Sequence, residues 1–284
     1  MGSKQGRLYV VATPLGNRKD ITERAREVLS EVDEWVVEDT RRSSKLAQMY
    51  EISPPPMNSY YDEVEEMRVE PLVRKLKSGK KLALLSDAGT PAISDPGYLL
   101  VKRAHEENIE VRPLPGANAP VAALSASGFP SDRYVFMGFL PRKNKARRDT
   151  LLEVKNFPGT VIFFESPRRL VDCLQKIRSF LGNRDIFIAR EMTKKFEEYR
   201  RGTATELIDY YKNNESRGEF TVLVHPQDDE EETVDSRQYL RDLLRKGLKL
   251  SDAAKAAAKF SEKTRSELYK VGLDIQEELE DESK

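Results

Sequence analysis

The chain has 284 residues, of which 38% are hydrophobic and 34% are charged. This composition is too apolar for a disordered chain and too polar for a membrane protein, and the length is roughly twice the ~150 residues of a typical domain. The 48 Lys and Arg residues balance the 48 Asp and Glu residues, so no overall electrostatic field draws the protein to nucleic acid.

Cysteine and histidine are scarce. Cys173 is the only cysteine, which excludes an internal disulfide, and His105 and His225 are the only histidines. We therefore expect no metal site, and a solvated or capping role for both histidines. A short polar start, residues 1–6, has no signal-peptide core, and this pattern fits the cytoplasm.

The first part of the chain alternates short apolar runs with amphipathic stretches. Strands are predicted at 8–11, 35–37, 82–85 and 110–113. Asp20 and Glu23 form a capping-box pattern for a helix, and Asp95 before Pro96 predicts the start of another. Gly128 is predicted to end a helix over 121–127. This alternation indicates an α/β domain with a mainly parallel sheet.

The rest of the chain changes character twice. Strands at 134–139, 161–164, 186–189 and 220–224, with helices near 167–181 and 204–212, predict a second α/β layer. Five consecutive acids at 228–232 predict a linker, and three short helices follow with a net charge of +5 over 235–273. The predicted organisation is an N-terminal α/β domain (7–128), a second α/β domain (129–226), an acidic linker (227–234) and a basic helical domain (235–276).

Three loops rich in small residues follow predicted strands, at 12–17, 86–97 and 115–119. Ligands of open α/β sheets bind where such loops meet, at the carboxyl ends of the strands. None of the loops contains a dinucleotide-binding or P-loop motif, so a phosphate cradle is not indicated. A single loop of this kind is ordinary turn chemistry, but three at one edge favour a binding site.

These loops belong to a larger set of motifs. The set comprises Ala-Thr-Pro-Leu-Gly-Asn at 12–17, Glu-Asp-Thr-Arg at 38–41, Ser-Asp-Ala-Gly-Thr-Pro at 86–91, Ser-Asp-Pro-Gly at 94–97, Pro-Gly-Ala-Asn-Ala at 115–119, Gly-Phe-Leu-Pro at 138–141, Glu-Ser-Pro-Arg-Arg at 165–169, Ala-Arg-Glu at 189–191 and Gly-Glu-Phe at 218–220. Over residues 7 to about 225, the sequence resembles the small-subunit rRNA methyltransferases of the tetrapyrrole-methylase-like class.

The resemblance implies a fold and an activity. The fold is α/β, with two domains of tetrapyrrole-methylase type, the cofactor cleft between them and a small C-terminal helical domain. The activity is methyl transfer from S-adenosylmethionine to the 2′-oxygen of a cytidine ribose in the decoding region of 16S rRNA. The implied partners are that rRNA or the assembled small subunit, and a second copy of the chain in a homodimer, with no membrane.

The resemblance also assigns residues to the site. The residues expected to line the cofactor pocket are Pro14, Asp87, Ala88, Gly89, Thr90, Ala92, Ile93, Asn118, Ala119 and Phe220. Candidates for a general base are Asp39, Glu165 and Glu191. The alternative is a structural ion pair, of Glu38 and Asp39 with Arg41 and Arg42, and of Glu191 with Arg190. Candidate RNA contacts are Arg41, Arg142, Lys143, Arg168, Arg190 and Lys194, since guanidinium groups suit phosphate oxygens.

Other features have two interpretations. The basic stretch 142–148 is either a solvated surface loop or a loop that contacts the RNA backbone. Tyr60 and Tyr61 either stack on a base or pack, whereas Trp35 and Cys173 are predicted core residues. Two further classes of function are a same-fold methylase acting on a tetrapyrrole precursor and a non-catalytic RNA-binding protein. The basic stretch and basic tail favour RNA over the former, and the three loops favour an enzyme over the latter.

Overall fold

The computed structural model describes residues 6–214, 217–227, 236–258 and 263–281. The chain divides into two compact units, Met1–Pro226 and Gln227–Lys284. The first unit contains two five-stranded sheets, and the described part of the second unit is helical. A boundary between two α/β domains at residues 128 and 129 stays a prediction, because both sheets fall within one unit.

The first sheet is entirely parallel, in the strand order β3-β2-β4-β1-β5, as the alternating pattern predicts. Its strands are β1 (Arg7–Val11), β2 (Glu34–Val37), β3 (Met57–Ser59), β4 (Lys81–Leu85) and β5 (Glu110–Leu114). Its helices are α1 (Glu23–Glu31), α2 (Thr40–Met49), α3 (Glu65–Lys77), α4 (Tyr98–Glu106) and α5 (Ala119–Ser127). The sequence pattern missed β3 and α3, since β3 is a three-residue edge strand and α3 is interrupted by Pro71.

The central strands of this sheet are buried on both faces. Trp35 packs with Leu29 in one hydrophobic cluster, whereas Val36 packs with Leu72 in another on the opposite face. A parallel sheet covered by helices on both sides requires such continuous apolar strands. The prediction that Trp35 and Cys173 are core residues is confirmed, because both are fully buried.

The second sheet is mixed, in the order β6-β7-β10-β8-β9. Its strands are β6 (Tyr134–Phe139), β7 (Thr160–Glu165), β8 (Asp185–Arg190), β9 (Glu198–Thr203) and β10 (Phe220–Val224), and its helices are α6 (Asn144–Glu153), α7 (Leu170–Leu181) and α8 (Ala204–Asn213). Only β6 and β7 pair in parallel. The polar strand β9 went unpredicted because it lies at the edge and pairs with β8 alone, so it needs no apolar alternation.

Helix α5 joins the two sheets. It follows β5 at the carboxyl edge of the first sheet, yet Ala123 and Leu124 pack in one cluster with Ile162 and Leu223 of the second sheet. Gly128 ends the helix in a left-handed conformation with φ 68°, as predicted. This packing brings the carboxyl edge of the first sheet against the second sheet.

The predicted start of the first helix is wrong. Asp20 does not cap α1, because it ends a preceding short 3-10 turn, Arg18–Asp20. Thr22 takes the capping position, and its hydroxyl accepts a hydrogen bond from the Ala25 N–H at 3.2 Å. The helix is therefore capped by Thr22, two residues after the predicted cap Asp20.

The prediction that Asp95 caps a helix is also wrong. Helix α4 begins at Tyr98, after Gly97, whose φ of 140° is open to glycine but not to larger residues. The carboxylate of Glu65, from α3, accepts the N–H groups of Gly97 and Leu99 at 3.0 and 3.2 Å. A distant acid caps this helix, and Asp95 remains in the preceding loop.

The two histidines differ. His105 is exposed on α4, as predicted. His225 is half-buried rather than solvated: its ring packs edge-on against Phe129 with ring centroids 5.0 Å apart, and its Nδ1 lies 2.9 Å from the Pro226 carbonyl oxygen. Of the tyrosine pair, Tyr60 is a packing residue, buried with its hydroxyl donating to Glu65 at 3.0 Å, and Tyr61 is exposed.

The second unit contains α9 (Ser236–Arg245), α10 (Leu250–Ala257) and α11 (Arg265–Asp281) around a small core that includes Leu240, Ala254 and Leu268. The sequence pattern predicts these three helices, but α11 is longer than expected and extends past residue 276. Apart from Gln227, the predicted acidic linker lies outside the described residues. Among the helices described, none has the length and apolar character needed to cross a membrane.

A buried ion pair supports the strand that leads to the candidate site. Glu34, at the start of β2, is 4% exposed, and both its carboxylate oxygens accept from Lys75 Nζ, at 2.5 and 2.8 Å. Lys75→Met should lower the free energy of unfolding by about 2–3 kcal/mol, because it leaves a buried charge unpaired. Lys77→Met, which breaks the more exposed pair with Glu107, should cost less than about 1 kcal/mol. Urea denaturation of both variants measures the difference, and equal losses would contradict this role of Glu34.

Candidate functional site

A cavity of about 370 Å³ lies between the carboxyl edge of the first sheet and the second sheet. From the first sheet, its walls are Leu15, Glu38, Arg42 and residues 87–90, 93–95 and 118–120. From the second sheet, they are Phe139, Met192 and residues 164–167 and 218–221. The volume lies in the range of small-molecule sites, and both sheets contribute to it.

Three hydrogen bonds hold the three small-residue loops together. Thr13 and Gly89 exchange both of their backbone hydrogen bonds, at 2.8 and 2.9 Å. The Thr90 hydroxyl donates to the Ala117 carbonyl at 2.9 Å, which adds the loop after β5. Gly89 has a φ of 82°, so this bridge needs a residue free to adopt a left-handed conformation. The expected meeting of the three loops at one edge is therefore observed.

The cavity has an excess of negative charge. Five carboxylate side chains lie in its wall, and Arg42 is the one cationic side chain among the described residues that line it. The carboxylates are those of Glu38, Asp87, Asp95, Glu165 and Glu219. An apolar surface, including Leu15, Phe139 and Phe164, forms much of the remaining wall. Such a site favours a ligand that is both partly apolar and positively charged.

Glu38, Asp87 and Arg42 form a connected group at the wall. Arg42 Nη1 lies 3.1 Å from Asp87 Oδ2, and the Asp87 N–H donates to Glu38 Oε2 at 3.3 Å. Asp87 Oδ1 is buried and has no hydrogen-bond partner among the described residues. Burial raises the pKa of both carboxyl groups, and Arg42 opposes this shift. The free Asp87 oxygen can accept a hydrogen bond from a ligand.

Asp95, in the loop between β4 and α4, is a further acid of the cavity wall. Burial, reinforced by the nearby charge of Glu38, raises the pKa of Asp95 to about 6. The loop that carries it is strained, because Ala92 and Ser94 have φ values of 65° and 61°. Strain and an unmatched charge in one loop are typical of a functional site rather than a stabilising one.

Glu165 lies at the end of β7 and is 2% exposed. Its Oε1 accepts from the Ser166 N–H at 2.8 Å and lies 3.4 Å from Arg169 Nε. Its Oε2 is buried without a hydrogen-bond partner among the described residues. A buried carboxylate oxygen in a cavity wall, left free while the other is held, is placed to accept a proton or a hydrogen bond.

Most of the predicted cofactor residues line this cavity. The structure places eight of the ten in its wall, namely Asp87, Ala88, Gly89, Thr90, Ile93, Asn118, Ala119 and Phe220. Pro14 and Ala92 are not in the wall, although each adjoins a residue or segment that is. The Ala92 N–H donates to the Pro96 carbonyl at 3.3 Å, so Ala92 shapes the loop instead.

The other two candidate bases lie outside the cavity wall. Asp39 accepts hydrogen bonds from the Arg41 backbone and side chain, which lower the pKa of Asp39 to about 2. Burial alone would raise the pKa of Glu191, but Lys194 and the Glu219 N–H hydrogen-bond its carboxylate and lower it. Asp39 thus forms the predicted ion pair with Arg41, whereas Glu191 pairs with Lys194 instead of the predicted Arg190.

The predicted RNA contacts also lie outside the cavity wall, in two groups. Arg142, Lys143 and Arg168 are exposed, and Arg41 is exposed but paired with Asp39. Arg190 pairs with Glu198 at 3.0 Å and Lys194 with Glu191 and Glu219, so their charges are already matched. Geometry therefore leaves the exposed group better placed for phosphate.

The basic stretch 142–148 is not a solvated loop throughout. Most of it begins α6, and Arg147 is 5% exposed. Arg147 pairs with Asp172 and donates to the carbonyls of Pro141 and Arg142. A guanidinium can satisfy several acceptors at once, so this residue folds inward while its neighbours remain exposed.

Several wall residues lie inside the quoted motifs but are not among the predicted site residues. Glu38, Asp95 and Glu219 belong to the quoted motifs at 38–41, 94–97 and 218–220. Glu38 directly follows β2 and Glu219 directly precedes β10, so their positions at strand ends were a usable signal, whereas Asp95 shows only the pattern of a helix cap. Arg42, expected to pair with Glu38 or Asp39, pairs instead with Asp87.

Comparison with known proteins gives consistent matches. A family model for tetrapyrrole (corrin/porphyrin) methylases matches residues 7–208. A Synechocystis protein named ribosomal RNA small subunit methyltransferase I is 43% identical over 95% of this chain and 99% of its own length. Proteins of the same name from Vibrio cholerae and Escherichia coli O157:H7 are 44% and 43% identical, each covering at least 94% of both chains.

Solved structures share the fold at low sequence identity. The methyltransferase CobJ has a TM-score of 0.60 and 19% identity, over 78% of this chain and 95% of that chain. Diphthine synthase has a TM-score of 0.64 and 14% identity, over 78% of this chain and 90% of that chain. These likenesses support the two-sheet fold alone.

The raised pKa of Asp95 makes stability depend on pH. Its folded pKa of about 6 exceeds the value of about 4 expected when unfolded, so stability falls as pH rises from about 4 to 6. Asp95→Asn removes this loss of stability. Because Asp95 is partly solvated, we expect the substitution to raise the free energy of unfolding by about 1–2 kcal/mol at pH 7.5 and to change it little at pH 4.5. Urea denaturation at both values tests this. An equal effect of the substitution at the two pH values would show that Asp95 is not perturbed.

Proposed function

Since the chain belongs to the tetrapyrrole (corrin/porphyrin) methylase family, we propose that it methylates small-subunit ribosomal RNA with S-adenosylmethionine as the donor. The observation that carries the proposal is the acid-lined cavity between the two sheets. The donor is supported by the charge and volume of that cavity, and the RNA substrate by the name shared by relatives that match almost the whole chain.

The residues of the cavity fit this donor. S-adenosylmethionine has a sulfonium and an ammonium group against one carboxylate, so a wall with five acids and one arginine offsets its positive charge. The free oxygens of Asp87 and Glu165 offer hydrogen-bond acceptors. Small residues at 88–89 and at Ala119 permit close approach of the backbone to an adenosine group. When bound, the donor supplies a methyl group on a good leaving group.

The finer proposal concerns the acceptor atom. We propose the 2′-oxygen of a cytidine ribose in the decoding region of 16S rRNA, as the resemblance to the small-subunit rRNA enzymes implies. A hydroxyl oxygen must be aligned with the methyl carbon and must lose its proton as the new bond forms. Glu165 supports this choice, because a buried carboxylate oxygen without a partner can accept that proton.

The protein's contribution is chiefly alignment. The loops at 86–97 and 115–119 hold one side of the cavity, and the ends of β7 and β10 hold the other, so the reacting atoms meet between two rigid sheets. Such alignment can supply roughly 7–11 kcal/mol of the barrier. Phe139 and Phe164 exclude water from the wall, and Arg169 orients Glu165. Of the three predicted bases, we propose Glu165.

RNA approaches a site whose own wall is negative, so cations outside the wall must attract it. Arg41, Arg142, Lys143 and Arg168 are exposed and are proposed to contact phosphates. Arg190 and Lys194, whose charges are matched, are proposed instead to hold the loops that carry Met192 and Glu219. The family resemblance further leads us to expect a homodimer in the cytoplasm.

The test is methyl transfer from tritiated S-adenosylmethionine to purified small ribosomal subunits. We expect label in the rRNA, and within it an alkali-resistant dinucleotide, because a 2′-O-methyl group blocks cleavage of the next phosphodiester. Glu165→Gln should lower kcat about 100-fold or more while the donor still binds. Glu191→Gln, which alters a paired carboxylate outside the wall, should change kcat less than about threefold.

The alternatives give different results. Label on an added tetrapyrrole precursor and none on subunits would make the chain a small-molecule methylase. RNA binding without any titratable affinity for S-adenosylmethionine would make it a non-catalytic RNA-binding protein. Label that alkali releases in mononucleotides would place the methyl group on a base. That result would contradict the proposed 2′-oxygen acceptor but not the methylation of rRNA. An unchanged kcat for Glu165→Gln would remove Glu165 as the base.

A further inference from the structure

A second cavity, of about 260 Å³, has the opposite charge. It lies between α6 and α7 of the second sheet and is lined by Asn144, Lys145, Arg147, Arg148, Lys176 and Phe180. Four of these six side chains are cationic and none is acidic, whereas the first cavity has five acids and one cation. By charge, the first cavity therefore suits a cation and the second suits an anion. We call the second cavity the basic groove.

Two cations of the basic groove have no counter-charge in the part of the chain that the structure describes. Lys145 and Lys176 form no ion pair there, and Arg148 contacts only Asp149, at 3.4 Å, with both side chains about half exposed. The charge of Arg147 is matched by Asp172. Lys145, Arg148 and Lys176 are therefore available to a ligand, and weakly screened positive charge of this kind attracts phosphate.

The groove is held in place by buried contacts. Arg147 donates to the Pro141 and Arg142 carbonyls, and Arg169 Nη2 donates to the Leu140 carbonyl at 2.5 Å. Arg169 also pairs with Glu165 in the wall of the first cavity. The segment before α6 is therefore fixed to the same arginine that orients Glu165. This arrangement sets the position of the groove cations relative to the first cavity.

The two cavities are close along the chain. Phe139 lines the first cavity and Asn144 lines the basic groove five residues later. Five residues span at most about 18 Å when fully extended. A few nucleotides of an extended RNA strand can cover that distance, so one strand can reach both cavities. Phe180 adds an apolar wall, which suits a sugar–phosphate backbone better than a free phosphate ion.

We propose that the basic groove binds a backbone phosphodiester of the RNA substrate, a few nucleotides from the ribose held at the first cavity. This inference rests on the proposed function and identifies a second anchor for its substrate. Lys145, Arg148 and Lys176 bind the phosphate, whereas Arg147 and Arg169 are positioning residues. Lys176 lies on α7, outside the basic stretch 142–148, and no sequence pattern identified it as a candidate RNA contact.

The test replaces the three binding cations with glutamine, as Lys145→Gln, Arg148→Gln and Lys176→Gln in one full-length variant. The matched control is Arg68→Gln, Arg74→Gln and Lys102→Gln, three exposed cations of α3 and α4 without ion pairs among the described residues. Binding of small subunits and of 16S rRNA is measured between about 50 and 200 mM salt, and the affinity for S-adenosylmethionine is measured by titration.

The groove variant should bind RNA at least about tenfold more weakly at the higher salt, with the slope of log K against log salt reduced by about 2. Its affinity for S-adenosylmethionine should stay within about twofold of that of the unaltered protein, because none of the three residues lines the first cavity. The control should keep the original slope, which separates a local groove from general loss of positive charge.

Equal slopes for the groove variant and the control would overturn the proposal, even if the unaltered protein methylates rRNA. Competition by a few millimolar inorganic phosphate as strong as that by RNA would also overturn it, since it would assign the groove to a free anion. If the slope falls as expected but no rRNA is ever methylated, the groove stands as an RNA site and the proposed function fails.

Discussion

The arrangement depends on unmatched negative charge held between two sheets. Folding places Glu38, Asp87, Asp95 and Glu165 around one cavity in which Arg42 is the one cation among the described lining residues, while Arg169 lies behind Glu165. Burial raises the pKa values of the first three acids. Burying charges without partners lowers the stability of the fold, so stability does not explain why these acids lie together. The wall they form becomes favourable when a cation enters. A sulfonium donor is such a cation, and the same charge explains why an RNA substrate needs separate basic surfaces.

Two packing features create that wall. Helix α5 leaves the first sheet and packs on the second, so the carboxyl edge of one sheet faces strand ends of the other. The Thr13–Gly89 backbone bridge and the Thr90–Ala117 bond then fix the loops of the first sheet as one surface. Because interiors are close-packed, a cavity held by these contacts keeps its shape without a ligand. Rigid walls suit a reaction whose main requirement is alignment.

The sequence predicted the parallel sheet, most strands of the second sheet and the loops around the cavity, because apolar runs and small-residue turns are local signals. It failed where an interaction came from far along the chain. Glu65 caps α4 and releases Asp95, and Arg147 folds inward toward Asp172. Neither partner is visible in a local pattern. Eight expected cofactor residues line the cavity, whereas only Glu165 of the three candidate bases lies in its wall, a distinction that only geometry provides.

Titration calorimetry of S-adenosylmethionine tests the central electrostatic claim most directly, with its uncharged-sulfur product, S-adenosylhomocysteine, as the second ligand. Asp87→Asn removes a wall charge, and Asp39→Asn removes a neighbouring carboxylate outside the wall. We predict that Asp87→Asn weakens binding of the donor about tenfold and of the product clearly less, while Asp39→Asn changes both less than about twofold. Equal affinities of the two variants for the donor, or equal losses for donor and product, would contradict a cavity selected for positive charge.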